Sequence, residues 1–171
     1  MTTEAGTTET GASGTGNPMI DGWSRERPDL DFSAMAAIMQ AFGIHSAVHG
    51  RMTEELNPLG LGTNEAATLS ILRSAGEPYR LTPTSLSKAI QCTTGGMTRL
   101  LDSVQGRAFV RRIPSPEDRR SLLVELTEEG VEMSDRVLEL QAKVTGEVLA
   151  ALTASETAQL EKLLGKLGLG P

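Results

Sequence analysis

The sequence predicts a mainly α-helical fold with one small β-hairpin. Three observations carry that expectation. Apolar residues recur at spacings of three and four over most of the chain, two short helical runs stand back to back across a tight turn, and the only β-like runs are adjacent and joined by a proline-rich segment. With 171 residues, 39% hydrophobic and 22% charged, there is room for one domain with a sizeable core but not for two large ones. No run approaches the roughly 18 apolar residues of a membrane span. The opening MTTEAGTTETGASGTG lacks the basic start and apolar stretch of a secretory signal, and the single cysteine, Cys92, cannot form an intrachain disulfide. A cytoplasmic protein without a membrane partner is expected.

Residues 1–17 are too poor in large apolar side chains to offset the entropy of ordering and read as a disordered tail. From Phe32 to Leu56, the residues Met35, Ile38, Phe42, His45, His49, Met52 and Leu56 draw one stripe along a helix, with Asp31 or Ser33 as its cap. A second helix runs from Thr63 through Leu72, with Ala66, Leu69 and Leu72 inward, and Ala75-Gly76 stops it. Leu81-Thr82-Pro83 opens a third, ending near Ile90, because threonine caps free amides and proline at the first helical position loses nothing by lacking an N–H. Thr93 or Thr94 caps a fourth, to about Val104, with Met97, Leu100, Leu101 and Val104 on its buried side. Two helices joined by so short a turn form a helix-turn-helix.

Strand-like runs follow at residues 108–113 and 121–126, separated by Pro114-Ser115-Pro116-Glu117-Asp118-Arg119-Arg120. Thr127 begins a long helix from Glu128 to about Leu152, and Thr153 with Glu156 makes a capping box for a last helix carrying Leu160, Leu163, Leu164 and Leu167. The result is a winged helix-turn-helix embedded in a helical frame. One domain, 18–171, divides into frame helices at 18–60 and 128–171 and a winged lobe at 61–127. The first and last helices expose more apolar stripe than so small a module can cover, which points to a homodimer, with the frame helices as its dimerisation surface.

The net charge of −6 taken alone disfavours a nucleic-acid partner, but the charge is partitioned. Between Arg73 and Arg120 nine basic residues face four acidic ones, so that segment carries +5 and the remainder −11. A basic module on an acidic scaffold suits duplex DNA.

Asp118-Arg119-Arg120-x-x-x-Val124-x-Leu126-Thr127-x-x-Gly130 resembles the wing signature of the MarR family of regulators. The stretches Leu81 to Leu86 and Thr93 to Arg99 resemble that family's helix-turn-helix, and the likeness extends from about Trp23 to Leu167. It implies a ligand-responsive transcriptional regulator, most often a repressor, that binds a pseudo-palindromic duplex as a homodimer. On this resemblance Thr93, Thr94, Gly95, Thr98 and Arg99 face the major groove, with Arg99 suited to a guanine. Thr82, Thr84 and Ser85 contact phosphate, and Arg119 and Arg120 at the wing tip enter the minor groove. Arg111 and Arg112 are adjacent on a strand and face opposite ways, so only one, taken to be Arg112, points at DNA. One departure is visible: the family usually has glycine followed by Leu-Val at the strand entry, where this chain has Ala108-Phe109-Val110.

The resemblance also implies a small aromatic or anionic effector held between the frame helices and the winged lobe. The segment from Trp23 to Asp31 is similar to the N-terminal extension of the urate-responsive branch, which makes Trp23 either a ligand contact or a packing anchor. That branch carries an aspartate where Ala67 stands, so urate itself is disfavoured. His45 and His49 share a helical face and suit a ligand carboxylate, or a metal if other ligands joined them; buried or interface histidines satisfied by hydrogen bonds are the plainer reading. Cys92, beside the fourth helix, is either a redox-sensitive thiol or a small packing side chain. No phosphate loop, nucleophile elbow or spaced His-Glu metal motif is present, so neither an enzyme nor a bound cofactor or metal is expected. The competing readings are a winged-helix module for protein contact and a small-molecule or metal sensor centred on His45 and His49.

Overall fold

A computed structural model describes residues 16–116 and 121–168. The expected tail falls outside the described residues up to 15, as do Arg119 and Arg120. The chain forms two compact units, up to Ser46 and from Ala47 onward.

The first unit begins with a helix that the sequence reading did not anticipate, α1 (Pro18–Glu26). Asn17, assigned above to the tail, is its N-cap: the side-chain oxygen accepts from the amides of Met19 (3.0 Å) and Ile20 (3.4 Å), and Pro18 occupies the first helical position. The Trp23 ring lies 6.0 Å from that of Phe32, tilted by 42°, which gives Trp23 a packing partner inside this unit although it stays substantially exposed. Asp31 then accepts from the Ser33 amide at 2.9 Å and starts α2 (Ser33–Leu56), and that amide holds the Asp31 carboxyl below its ordinary range. Along α2 the apolar stripe is exposed at Met35, Ile38 and Phe42, the last at 61%, and becomes buried at Met52 and Leu56.

A 3-10 turn (Asn57–Leu59) leads to α3 (Thr63–Ser74), which buries Ala66, Thr68, Leu69 and Leu72. The fully buried Thr68 hydroxyl donates to the Asn64 carbonyl at 2.8 Å, so its burial leaves no polar atom unmet. Next come β1 (Arg80–Leu81), α4 (Pro83–Ile90), α5 (Thr94–Gly106), β2 (Val110–Pro114), β3 (Leu122–Leu126), α6 (Glu128–Val148) and α7 (Ala154–Gly165). At eight residues α4 is too short to persist alone. It is anchored by Leu86, whose complete burial contributes about 2 kcal/mol, in a core shared with Leu69, Leu72, Met97, Leu101, Val104, Val124 and Val137.

The expected hairpin is part of a three-stranded antiparallel sheet in the order β1-β3-β2. The sequence reading assigned Leu81 to the entry of α4. Leu81 in fact pairs with Val124 and Arg80 with Glu125, a two-residue strand too short to show any alternation. The long helix α6 stops at Val148 rather than near Leu152, because the chain needs residues 149–152 to turn before Thr153 caps α7. That cap is the expected box: Thr153 and Glu156 exchange bonds, with the Thr153 amide donating to Glu156 at 2.8 Å. The apolar face of α7 remains exposed at Leu163 and Leu164, and Leu167, in the turn just after it, is exposed as well.

The base of the wing explains the signature residues that precede and open α6. The Thr127 hydroxyl donates to the Ala108 carbonyl at 2.6 Å and accepts from the Gly130 amide at 3.0 Å. A Cβ at position 130 would lie 1.9 Å from the Phe109 carbonyl oxygen, so only glycine fits. Ala108 itself has φ +61°, the left-handed region, at the position where glycine is usual in the resembled family.

Candidate nucleic-acid interface

The helix-turn-helix is built from local signals that agree with the tertiary core. Thr82 caps α4 by accepting from the Ser85 amide at 3.1 Å, and its hydroxyl also shares a 2.9 Å bond with that of Ser85. Gln91 ends α4 in the left-handed region, and Thr93 caps α5 by accepting from the Gly96 amide at 3.1 Å. Met97, Leu101 and Val104 pin one side of α5 to the core. This leaves Thr94, Gly95, Thr98 and Arg99 exposed on α5, with Thr84, Ser85 and Lys88 exposed on α4.

The expected contact residues differ in how free they are. Thr82 and Thr93 are occupied as caps. Thr98 donates its hydroxyl to the Thr94 carbonyl at 3.1 Å, which leaves its methyl and an acceptor lone pair facing outward. Gly95 is different: a Cβ there would meet no atom of this chain within 4 Å, so internal packing does not demand glycine. Among the described residues Arg99 and Lys88 have no ion-pair partner.

Other arginines of the basic segment are committed. Arg73 pairs with Asp135 at 2.8 Å and stacks over the Tyr79 ring at 4.6 Å; the Asp135 bond raises its pKa further. Arg107 donates to the carbonyls of Leu59 and Gly60 and covers the Phe109 ring. Arg111 pairs with the buried Glu125, its register partner, on the face of the sheet opposite to Arg112. Arg112, its neighbour, faces α5 and donates to Asp102 at 2.6 Å. The alternation expected for adjacent strand residues therefore places Arg112, not Arg111, beside α5.

Between α4, α5 and the wing lies a cleft of about 360 Å³, with Met97, Leu101 and Leu122 as apolar lining, Lys88 and Arg112 as cations, and hydroxyls from Thr84, Ser87, Thr94 and Thr98. Sequence reasoning missed Lys88, although Thr84 and Lys88 stand four apart on one helical face, a spacing visible in the sequence. It also missed Asp102 and Leu122, which reach the site only through the fold.

His45 and His49 are both exposed rather than buried within the chain, because the stripe they share is covered only from Met52 onward. Among the described residues no group of three or more His, Cys, Asp or Glu side chains is arranged to hold a metal ion. Cys92 is half-buried, with its sulfur 4.0 Å from the Ser87 hydroxyl. Among the described residues no helix is long and apolar enough to cross a membrane.

Known proteins share this architecture. The MarR family model matches residues 64–122. The HTH-type transcriptional regulator PecS of Dickeya dadantii is 28% identical over 149 residues, 87% of this chain and 90% of PecS. The multiple antibiotic resistance protein MarR of Escherichia coli is 33% identical over 117 residues, 68% of this chain and 79% of that protein. A crystal structure of a mutant E. coli MarR complexed with operator DNA superimposes with a TM-score of 0.67 at 29% identity, covering 80% of this chain and 96% of that one. A helix-turn-helix with a free polar face, a glycine-locked wing base and these relatives converge on one assignment: the chain belongs to the MarR family of winged helix-turn-helix, DNA-binding transcriptional regulators.

Proposed function

We propose that this regulator is a homodimeric repressor that releases its operator when an aromatic anion binds. The observation that carries the DNA-reading part is the outward face of α5, where Thr94, Thr98 and Arg99 flank a glycine that the chain's own packing does not require. A bare backbone at Gly95 lets α5 approach base edges closely, and the unpaired Arg99 guanidinium matches the two acceptors of a guanine. Phosphates flanking the groove fall to Thr84, Ser85 and Lys88, and the minor groove to Arg119 and Arg120 of the wing.

Dimerisation is supported by the exposed apolar side chains of α2 (Met35, Ile38, Phe42) and, separately, of α7 and the turn after it (Leu163, Leu164, Leu167), more apolar surface than a monomer ordinarily leaves bare. A two-fold dimer then places two copies of α5 in successive major grooves of a pseudo-palindrome. The protein works where the chromosome is, in the cytoplasm.

Effector binding is assigned to the cleft between α4 and α5, in place of the space between frame helices and winged lobe that the resemblance implies, because the cleft carries the apolar slot and cations and its lining includes none of Trp23, His45 and His49. Its volume suits a small planar acid, its lining offers an apolar slot with two cations, and Thr94, Thr98 and Lys88 are shared with the DNA face. Occupancy and DNA binding would therefore compete. Selection of genomic fragments by the purified protein, followed by titration with hydroxybenzoic acids, tests both parts. Retained fragments that are released by the acid are expected; no retained fragment overturns the DNA reading, and retention indifferent to the acids overturns this assignment of the cleft.

A further inference from the structure

We infer that Asp102 is a positioning residue of the DNA interface, which acts by holding Arg112 against the backbone. The inference rests on the DNA reading above. Asp102 lies on α5 one turn beyond Thr98 and Arg99, on the exposed side of the helix, with its side chain 57% accessible. A carboxylate there should repel phosphate, so its presence on the reading face needs a reason.

Arg112 supplies one. Its guanidinium donates to Asp102 at 2.6 Å, a charge-assisted bond, while Arg99 one turn back carries no such pair. Arg112 is opposite the buried Val124 in the strand register, and so emerges on the face of the sheet that meets α5; its side chain is only 29% accessible. One flank of the guanidinium is thereby fixed by Asp102, and Arg112 also lines the cleft with Lys88, Thr84 and Thr98. A long side chain held at one end of its fork is pre-organised for a phosphate at the other, because the rotamer entropy lost on binding DNA is already spent. Asp102 is in turn neutralised, so the pair presents Arg112 without exposing a bare negative charge.

The test turns on the sign of an effect. Removing an acidic residue from a DNA-facing surface ordinarily tightens binding. Asp102→Ala is expected instead to weaken binding to the selected operator duplex several-fold, and to lower the slope of log affinity against log salt by about one as Arg112 leaves its phosphate. In an Arg112→Ala background, where there is nothing to position, the same Asp102→Ala change should tighten binding. Melting temperatures of all four proteins separate folding from binding. If Asp102→Ala does not fold, Asp102→Asn, which keeps the shape and an acceptor oxygen but loses the charge, is expected to fall between wild type and Arg112→Ala. Tighter binding by Asp102→Ala or Asp102→Asn alone, or an identical effect in both backgrounds, overturns the inference. Failure of the wild type to hold any duplex overturns the DNA reading itself and this role with it.

Discussion

Replacing Ala108 with glycine should make the protein more stable, against the usual direction of an alanine-to-glycine change. Ala108 sits at φ +61°, held there by two bonds: its amide donates to the Gln105 carbonyl at 2.9 Å and its carbonyl accepts the Thr127 hydroxyl at 2.6 Å. An L-residue in the left-handed region costs about 1–2 kcal/mol. Glycine removes that cost but adds roughly 0.5–1 kcal/mol of unfolded-state entropy. The Ala108 side chain is exposed, so no burial is lost. The net gain is about 0.5–1 kcal/mol, equivalent to a rise of about 2 °C in melting temperature for a chain of this size. Urea unfolding at one fixed protein concentration measures it, since dimerisation couples stability to concentration. A midpoint lower than wild type would refute the reasoning, by showing that the turn is not strained.

The other predictions concern packing, contact, ligand and capping. Gly130→Ala should cost about 3 kcal/mol, because the new methyl meets the Phe109 carbonyl and backbone cannot give way; an unfolding curve like that of the wild type would show that the wing base is looser than described. Arg99→Ala should leave the melting temperature within a degree or so of wild type and weaken operator binding at least about tenfold, with selectivity relaxed at one base pair, as read by competition with point-substituted duplexes. Lys88→Ala should weaken calorimetric binding of a hydroxybenzoic acid more than a change at exposed Lys166, and equal affinities would exclude the cleft. Thr153→Ala should cost about 1 kcal/mol at α7. Glu156, whose carboxyl is held below its ordinary range by the Thr153 amide, contributes above that range and loses its contribution as pH falls through the lowered value, so the protection factors of amides at the start of α7, corrected for the intrinsic pH dependence of exchange, should fall only in acid.

The helix-turn-helix was legible because local chemistry and tertiary packing agree there. Thr82-Pro83, Thr93 and the Met97-Leu101-Val104 face each carry their own signal, and the structure places α4 and α5 within two residues of expectation. Asn17-Pro18 carried an equally good start signal for α1. The segment before it has no apolar pattern, and for that reason the sequence places Asn17 with the polar tail. β1 was invisible for a different reason, since a two-residue strand exists only through its partner β3, more than 40 residues away. The same holds for the site. Thr94, Thr98 and Arg99 follow from helix position alone, whereas the pairing of Arg112 with Asp102 and the cleft beside Leu122 depend on how the wing folds back onto α5. His45 and His49 lie on α2 and are exposed, and periodicity alone does not tell a stripe that is covered from one left open.

The most direct test of the central claim is a hydroxyl-radical footprint of the purified protein on a selected operator. Two copies of α5 in successive major grooves predict two protected half-sites related by a dyad, with centres about 10 base pairs apart, and protection that disappears in Arg99→Ala. A single protected patch, or a two-fold footprint unchanged by Arg99→Ala, would contradict the assignment of α5 as the element that reads the DNA.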